Sequence, residues 1–257
     1  MVKVLALQFE PLIGNQVKNY QTVSKMLREN VDFKPDVVIL PELFITGLDY
    51  DHIPETAQNT IGPISTFLSG IAEKYNTNII GGSFFEKTHE GKFYNTTLVL
   101  NRKGEIISKY RKIHTFSHCG STEGKFVSNG VDTKIVDIEG IKYALAICYD
   151  LRFPEQFRKM AQDGAEIFVV PAAWGAERLE HWILLNRVRA LENLCCLVSC
   201  GACCNNFAGH SMAVNPWGDI IIQAEDKQTA LRITVDVEEI KKIRTNTAFL
   251  NDIRALT

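Results

Sequence analysis

The chain has 257 residues, 46% hydrophobic and 23% charged, and a formal net charge of −2. It is long enough for one large domain or two small ones, and it carries neither a basic block suited to nucleic acid nor an acidic tail that would stay disordered. The first ten residues, MVKVLALQFE, reach Gln8 and Glu10 too soon for a signal peptide, and a long stretch free of Lys, Arg, Asp and Glu, Leu194–Gly218, is broken by Asn, Ser, Gly and Pro. That stretch reads as buried strands rather than a membrane span. The seven cysteines, five of them between Cys195 and Cys204, are expected to be reduced thiols in a cytoplasmic protein.

In chain order, Val2–Phe9 alternates as a first strand. Asn15 caps a helix running to about Val31, and Asp36–Leu40 is an apolar strand covered on both faces. Pro63–Tyr75 has helical spacing, and Thr77–Phe85 reads as a strand containing Gly81-Gly82. Phe93–Leu100 and Glu105–Lys112 form a hairpin, followed by a polar loop, Ile113–Gly130. Lys134–Ile138 and Lys142–Cys148 form a second hairpin. A helix from Pro154 ends at Gly164, Ala165–Pro171 is a strand, Glu177–Asn193 a helix and Cys195–Ala202 a strand. Ser211–Asn215 pairs with Asp219–Gln223, and Ala230–Asp236 precedes a short helix from Val237. Some strands form hairpins and others are joined through helices, without a linker or repeat. This predicts one α/β domain over residues 1–257, with sheets packed face to face and helices outside.

Cys148 ends an apolar strand and opens a turn, with its side chain expected to be exposed at the tip beside free backbone N–H groups. This placement suits a thiol nucleophile with an oxyanion hole, although a cysteine is more often a small buried apolar residue. Glu42 follows a strand and a proline. It is either a solvated turn carboxylate or a general base at the sheet's C-terminal edge, where burial would raise its pKa. Lys112 closes the basic run Lys109–Lys112 and is either a solvated strand end or a cation beside the thiolate. Glu123 taken alone is a surface residue, and no spacing singles out His114, His118, His181 or His210. Cys200-Gly-Ala-Cys203 offers a redox pair or half a metal site, but no second C-x-x-C stands at a zinc-like distance.

Three blocks then stand together: LPELFITG (Leu40–Gly47), KYRKIH (Lys109–His114) and ICYDLRFPE (Ile147–Glu155). With HWILLNRVRALEN (His181–Asn193), GHS (Gly209–Ser211) and NPWGD (Asn215–Asp219), the chain resembles the carbon–nitrogen hydrolases of the nitrilase superfamily over essentially its whole length. The resemblance implies a four-layer α-β-β-α sandwich and a Glu42–Lys112–Cys148 triad. It also implies a second glutamate, Glu123, within STEGKFVSNG (Ser121–Gly130), where the family's usual Pro-Gly is replaced by Asn129-Gly130. No metal or organic cofactor is implied. The expected partners are a small amide substrate and further copies of the chain, as a homodimer or higher oligomer.

The implied chemistry is thiolate attack on an amide. Lys112 and the Tyr149 backbone N–H hold the oxyanion, and Glu42 shuttles protons through a thioester intermediate. Tyr149-Asp150 followed by Arg152-Phe-Pro-Glu resembles the amidase branch, notably ω-amidases acting on α-keto acid amides such as 2-oxoglutaramate. Arg152 is the candidate for holding the substrate carboxylate, against a structural pairing with Asp150 or Glu155. Trp174 is expected to wall the pocket. The alternatives are an N-carbamoyl amine or amino-acid amidohydrolase on the same triad, a non-catalytic scaffold, and a metal or redox protein built on Cys200 and Cys203.

Overall fold

A computed structural model describes residues 1–118 and 120–254. Among the described residues, thirteen strands form two mixed sheets. The first sheet holds β1 (Val2–Gln8), β2 (Val37–Ile39), β3 (Asn78–Ile80), β4 (Phe84–Lys87), β5 (Phe93–Leu100), β6 (Ile106–Arg111) and β13 (Thr229–Val235). Its order is β13-β1-β2-β3-β5-β4, with β6 also paired to β5. The second holds β7 (Lys134–Ile138), β8 (Ile141–Leu145), β9 (Ile167–Ala172), β10 (Cys196–Gly201), β11 (Met212–Val214) and β12 (Ile220–Gln223), in the order β12-β11-β10-β9-β8-β7. Strands β1, β2 and β3 run parallel, as do β8, β9 and β10, and the remaining pairings are antiparallel.

Strand periodicity explains the layering, because successive side chains point to opposite faces. Val4, Ala6, Val37 and Ile39 join the core between the sheets. Leu5, Leu7, Val38 and Leu40 instead pack with Val23, Met26 and Leu27 of α1 (Gln16–Glu29) and Ile64, Leu68 and Ile71 of α3 (Pro63–Tyr75). On the far side, Phe157 and Met160 of α5 (Pro154–Gln162) and Trp182 and Ala190 of α6 (Leu179–Asn193) cover the second sheet. The result is the expected α-β-β-α sandwich. Asn15 caps α1 by accepting from the Lys18 N–H, and Asp236 caps α7 (Val237–Thr247) by accepting from Glu238 and Glu239. Among the described residues, no helix is long and apolar enough to cross a membrane.

Several expected boundaries change. Thr77–Phe85 is two strands, because Gly82 turns the chain at φ 56°. The polar loop contains a short helix, α4 (Glu123–Phe126), and another, α2 (Ile53–Thr56), follows β2. The strand before Cys148 stops at Leu145, and Cys148–Arg152 is a 3-10 turn. Helix α6 starts at Leu179, after a separate 3-10 turn at Ala176–Arg178.

One buried carboxylate ties three strands of the first sheet together. Glu86 on β4 accepts from Thr96 of β5 (2.8 Å), and from Lys109 (2.7 Å) and Arg111 (2.8 Å) of β6. Burial raises its pKa, but the hydrogen bonds from Arg111, Lys109 and Thr96 outweigh that and lower it from 4.5 to about 2. A depressed folded-state pKa stabilises the fold above the unfolded-state value. The contribution is therefore complete above pH 4.5 and lost as pH falls toward 2. Glu86→Gln is expected to lower unfolding free energy at pH 7 by about 2 kcal/mol, and to flatten the acid limb in that window. Urea melts across pH will check this; an unchanged acid limb in the variant rejects the assignment.

Candidate active site

Four of the site's groups lie at or beyond the ends of strands. Glu42 follows β2, Lys112 follows β6, Cys148 opens the turn after β8, and Ala173 follows β9. Two glycine-dependent and strained corners set the first of these. A Cβ on Gly82 would stand 2.1 Å from the Pro41 carbonyl oxygen, so only glycine lets the β3–β4 corner reach the end of β2. Ser83 Oγ then accepts from the Leu43 N–H at 2.9 Å, with Leu43 at φ 47°. Cys148 also has φ 47°. Left-handed backbone at a non-glycine residue costs about 1–2 kcal/mol, and here it turns the thiol toward Glu42.

The side chains converge on Lys112, which is 2% exposed. Its Nζ donates to Glu42 Oε1 at 2.8 Å and to Glu123 Oε2 and Oε1 at 2.8 and 3.1 Å. Asn95 Nδ2 donates to both glutamates at 2.9 Å. Glu42 Oε2 accepts from the Ala173 N–H (2.8 Å), and Glu123 Oε2 from the Phe116 N–H (2.7 Å). Cys148 lines the same cavity as Glu42, Lys112 and Ala173, and the Glu42 carboxylate and the Lys112 ammonium are the charges that act on its thiol. Glu123 is fully buried on α4, contrary to the surface position its local sequence suggests. Cys148 is 8% exposed, so the expected exposed tip is instead a buried residue whose sulfur opens only to a cavity.

Burial opposes the Lys112 ammonium, but Glu123 and Glu42 more than compensate and its pKa stands well above the ordinary value. Burial, and then the Glu42 charge, push the Cys148 thiol well up, while Lys112 pulls the other way. Tyr50 is also raised well above its ordinary value, by burial and then by Glu123. The resting site therefore holds a neutral thiol facing a carboxylate and a fixed cation.

The cavity measures about 440 Å³. Glu42, Lys112, Glu123 and Cys148 lie on its lining, and Tyr149, Arg152 and Trp174 line it as well. Arg152 does not pair with Asp150. That carboxylate is filled by Tyr110 Oη (2.7 Å), the Ile147 N–H (2.9 Å) and both the N–H and Nδ1 of His114 (2.9 and 2.8 Å). The Arg152 guanidinium lies over the Trp174 ring at 4.8 Å and contacts His181 Nδ1 at 3.3 Å. Sequence reasoning missed Asn95, Tyr50, the Ala173 N–H and Arg178, which lies over Phe116 at 5.3 Å and pairs with Glu177 at 2.5 Å. A polar Asn95 inside a buried strand was the one available signal among them. Cys200 and Cys203 do not pair: the Cys200 thiol faces the Leu7 and Ile39 carbonyls at 3.3 and 3.5 Å. No cluster of three or more His, Cys, Asp or Glu suited to a metal occurs among the described residues.

The family model for carbon-nitrogen hydrolases matches residues 3–245. The 2-oxoglutaramate amidase of Bacillus subtilis is 31% identical over 98% of this chain and 97% of its own. Omega-amidase NIT2-B of Xenopus laevis is 31% identical over 88% of this chain and 86% of its own. The crystal structure of Saccharomyces cerevisiae Nit3, a member of branch 10 of the nitrilase superfamily, superposes with a TM-score of 0.86. Its identity to this chain is 29%, over 95% of this chain and 93% of that one.

The charge arrangement has a spectroscopic consequence. Thiolate absorbance at Cys148, taken as the difference from Cys148→Ala, should titrate above the ordinary thiol range. Glu42→Gln should lower its midpoint, and Lys112→Met should raise it. A midpoint below the ordinary thiol value in the unmodified protein contradicts the neutral resting thiol.

Proposed function

We infer that the chain, which belongs to the carbon–nitrogen hydrolase family of the nitrilase superfamily, hydrolyses C–N bonds as an amidase. We propose that it does so through Cys148, on the ω-amide of a small α-keto acid such as 2-oxoglutaramate. The observation that carries this reading is the buried thiol of Cys148 on the lining of one cavity with Glu42 and the Lys112 ammonium bound to it.

As Sγ attacks the amide carbon, its proton passes to Glu42, the carboxylate that shares the cavity wall with it. The developing oxyanion falls to Lys112 Nζ and the Tyr149 N–H, which sits in the first turn of its 3-10 helix, where amides have no intrahelical acceptor. Glu42 then protonates the departing nitrogen, ammonia leaves, and Cys148 carries a thioester. Glu42 next takes a proton from water, which displaces the thiolate and frees the acid. Glu123 grips Lys112 with both oxygens, and Asn95 fixes the spacing between the two glutamates.

Arg152 supports an anionic substrate. Among the described residues its guanidinium has no carboxylate partner, although it lines the cavity. Stacking on Trp174 leaves its edge free for a forked carboxylate contact. The names of the Bacillus and Xenopus relatives agree with this substrate class.

The pairing of subunits belongs to the same reading. We place it on the outer face of α6, where Leu184 and Leu191 are exposed and Leu191 lies against the turn holding exposed Trp217. The six described cysteines are free thiols, which supports the cytoplasm as the compartment.

Intact-mass analysis during turnover should find the acyl adduct of 2-oxoglutaramate on Cys148, with ammonia released. Lys112→Met should lower kcat by about 10²–10³. Arg152→Met should raise KM at least tenfold for the keto-acid amide and leave an uncharged amide unaffected. An adduct formed only from carbamoylated amines assigns the site to an N-carbamoyl amidohydrolase instead, and no Cys148 adduct from any amide ends the thioester mechanism. Leu184→Glu with Leu191→Glu should convert a sedimenting dimer to monomer; an unchanged dimer moves the contact elsewhere.

A further inference from the structure

One wall of the cavity starts at a pair of adjacent thiols. Cys203 is buried and Cys204 half-buried, and their sulfurs lie 3.4 Å apart. Neighbouring residues in an extended chain point to opposite faces. At Cys204 the left-handed backbone (φ 66°, followed by Asn205 at φ 50°) turns the side chain back onto its predecessor. Cys195, in the other adjacent pair, is engaged elsewhere, with its sulfur against the Ala165 carbonyl and Arg244 Nη2.

The two residues after Asn205 are Asn206 and Phe207, both on the cavity lining. The segment is laced to the opposite strip of wall by backbone bonds. The Ala176 N–H donates to the Asn206 carbonyl at 2.8 Å, and the Ala208 N–H to the Trp174 carbonyl at 2.8 Å. At its start, the Cys204 N–H donates to Asp226 Oδ1 at 2.8 Å, and the Phe207 N–H to the Cys204 carbonyl at 3.0 Å. Any change in backbone at Cys204 is therefore passed directly to the wall that holds Trp174.

We propose that Cys203 and Cys204 are a redox modification site, at which a hydroperoxide closes the pair to a vicinal disulfide and so displaces Asn206 and Phe207 from the cavity wall. The Cys204 sulfur attacks the peroxide oxygen. The O–O bond breaks, water or an alcohol leaves, and Cys204 becomes a sulfenic acid. The Cys203 sulfur then attacks the Cys204 sulfur, the S–O bond breaks, and water leaves with the Cys203 proton. Two thiols thus supply the two electrons that reduce one peroxide. Burial pushes the Cys203 thiol up, which keeps it protonated and makes half-buried Cys204 the sulfur that peroxide meets first.

Adjacent Cα atoms stand about 3.8 Å apart, below the usual disulfide range of about 4.4–6.8 Å. The ring must therefore distort the local backbone, and a strained disulfide is readily reduced. The modification is reversible for the same reason that it moves the wall.

The test begins in Cys148→Ala, which removes from the reaction the thiol that, among the described residues, lines the cavity. Hydrogen peroxide should take the mass of two hydrogens from the protein, and fragmentation should map the link to Cys203–Cys204. Cys204→Ser in the same background should abolish it. A sulfinic product at Cys204, or a link mapped elsewhere, overturns the proposal. A second arm rests on the amidase reading. Peroxide should reduce turnover at least threefold more in the otherwise unmodified enzyme than in Cys204→Ser, with dithiothreitol recovering the difference; identical inactivation curves overturn the coupling to the wall. If no amide is turned over at all, the amidase reading fails, while the mass map still decides the dithiol.

Discussion

The structure depends on one buried ammonium gripped by two carboxylates. Taking three ionised groups out of water costs several kcal/mol per ion before their attraction offsets it, and a well-packed apolar trio would stabilise the fold at least as well. The cluster survives because all four carboxylate oxygens accept hydrogen bonds: the Ala173 N–H takes the Glu42 oxygen that Lys112 leaves, and Asn95 and the Phe116 N–H share the others with it. Formally the cluster carries one excess negative charge, and burial first, then the Glu42 charge, keep the neighbouring sulfur protonated. A cation-rich pocket would instead have produced a standing thiolate. Here ionisation is deferred until a substrate carbon is ready to receive the electrons.

The sandwich exists to bring four distant strand ends to one place. Each sheet contributes two of them, Glu42 and Lys112 from the first and Cys148 and Ala173 from the second. The core between the sheets fixes their separation through close-packed side chains such as Val37, Ile39, Tyr143 and Val169. Asp150 joins the halves directly, binding the Ile147 N–H beside the nucleophile and His114 just after Lys112. Its saturation by those partners is also what leaves the neighbouring Arg152 without a carboxylate.

Much of this was legible in the residues. Apolar runs buried on both faces, alternation in β1 and the helical repeats of α1 and α3 follow from periodicity alone, and three motif blocks carried the positions of Glu42, Lys112 and Cys148. What was not legible depends on register or on strain. Asn95 matters because β5 happens to present it between two glutamates from other segments, which no local pattern encodes. Glu123 looks like a surface residue because its polar loop conceals a helical turn folded inward. The Ala173 N–H has no side-chain signature at all. The split of Thr77–Phe85 was hidden in the Gly81-Gly82 pair, whose role appears only once Pro41 is placed against it.

That corner bears on how the protein tolerates change. Gly82 touches no substrate and transfers no proton, yet its missing methyl group is what allows the strand bearing Glu42 to end where it does. In a saturation screen scored by activity, this chemically silent position will group with the nucleophile, while in a screen scored by abundance the two will separate. Inheritance of the enzyme therefore rests partly on an atom that is not there.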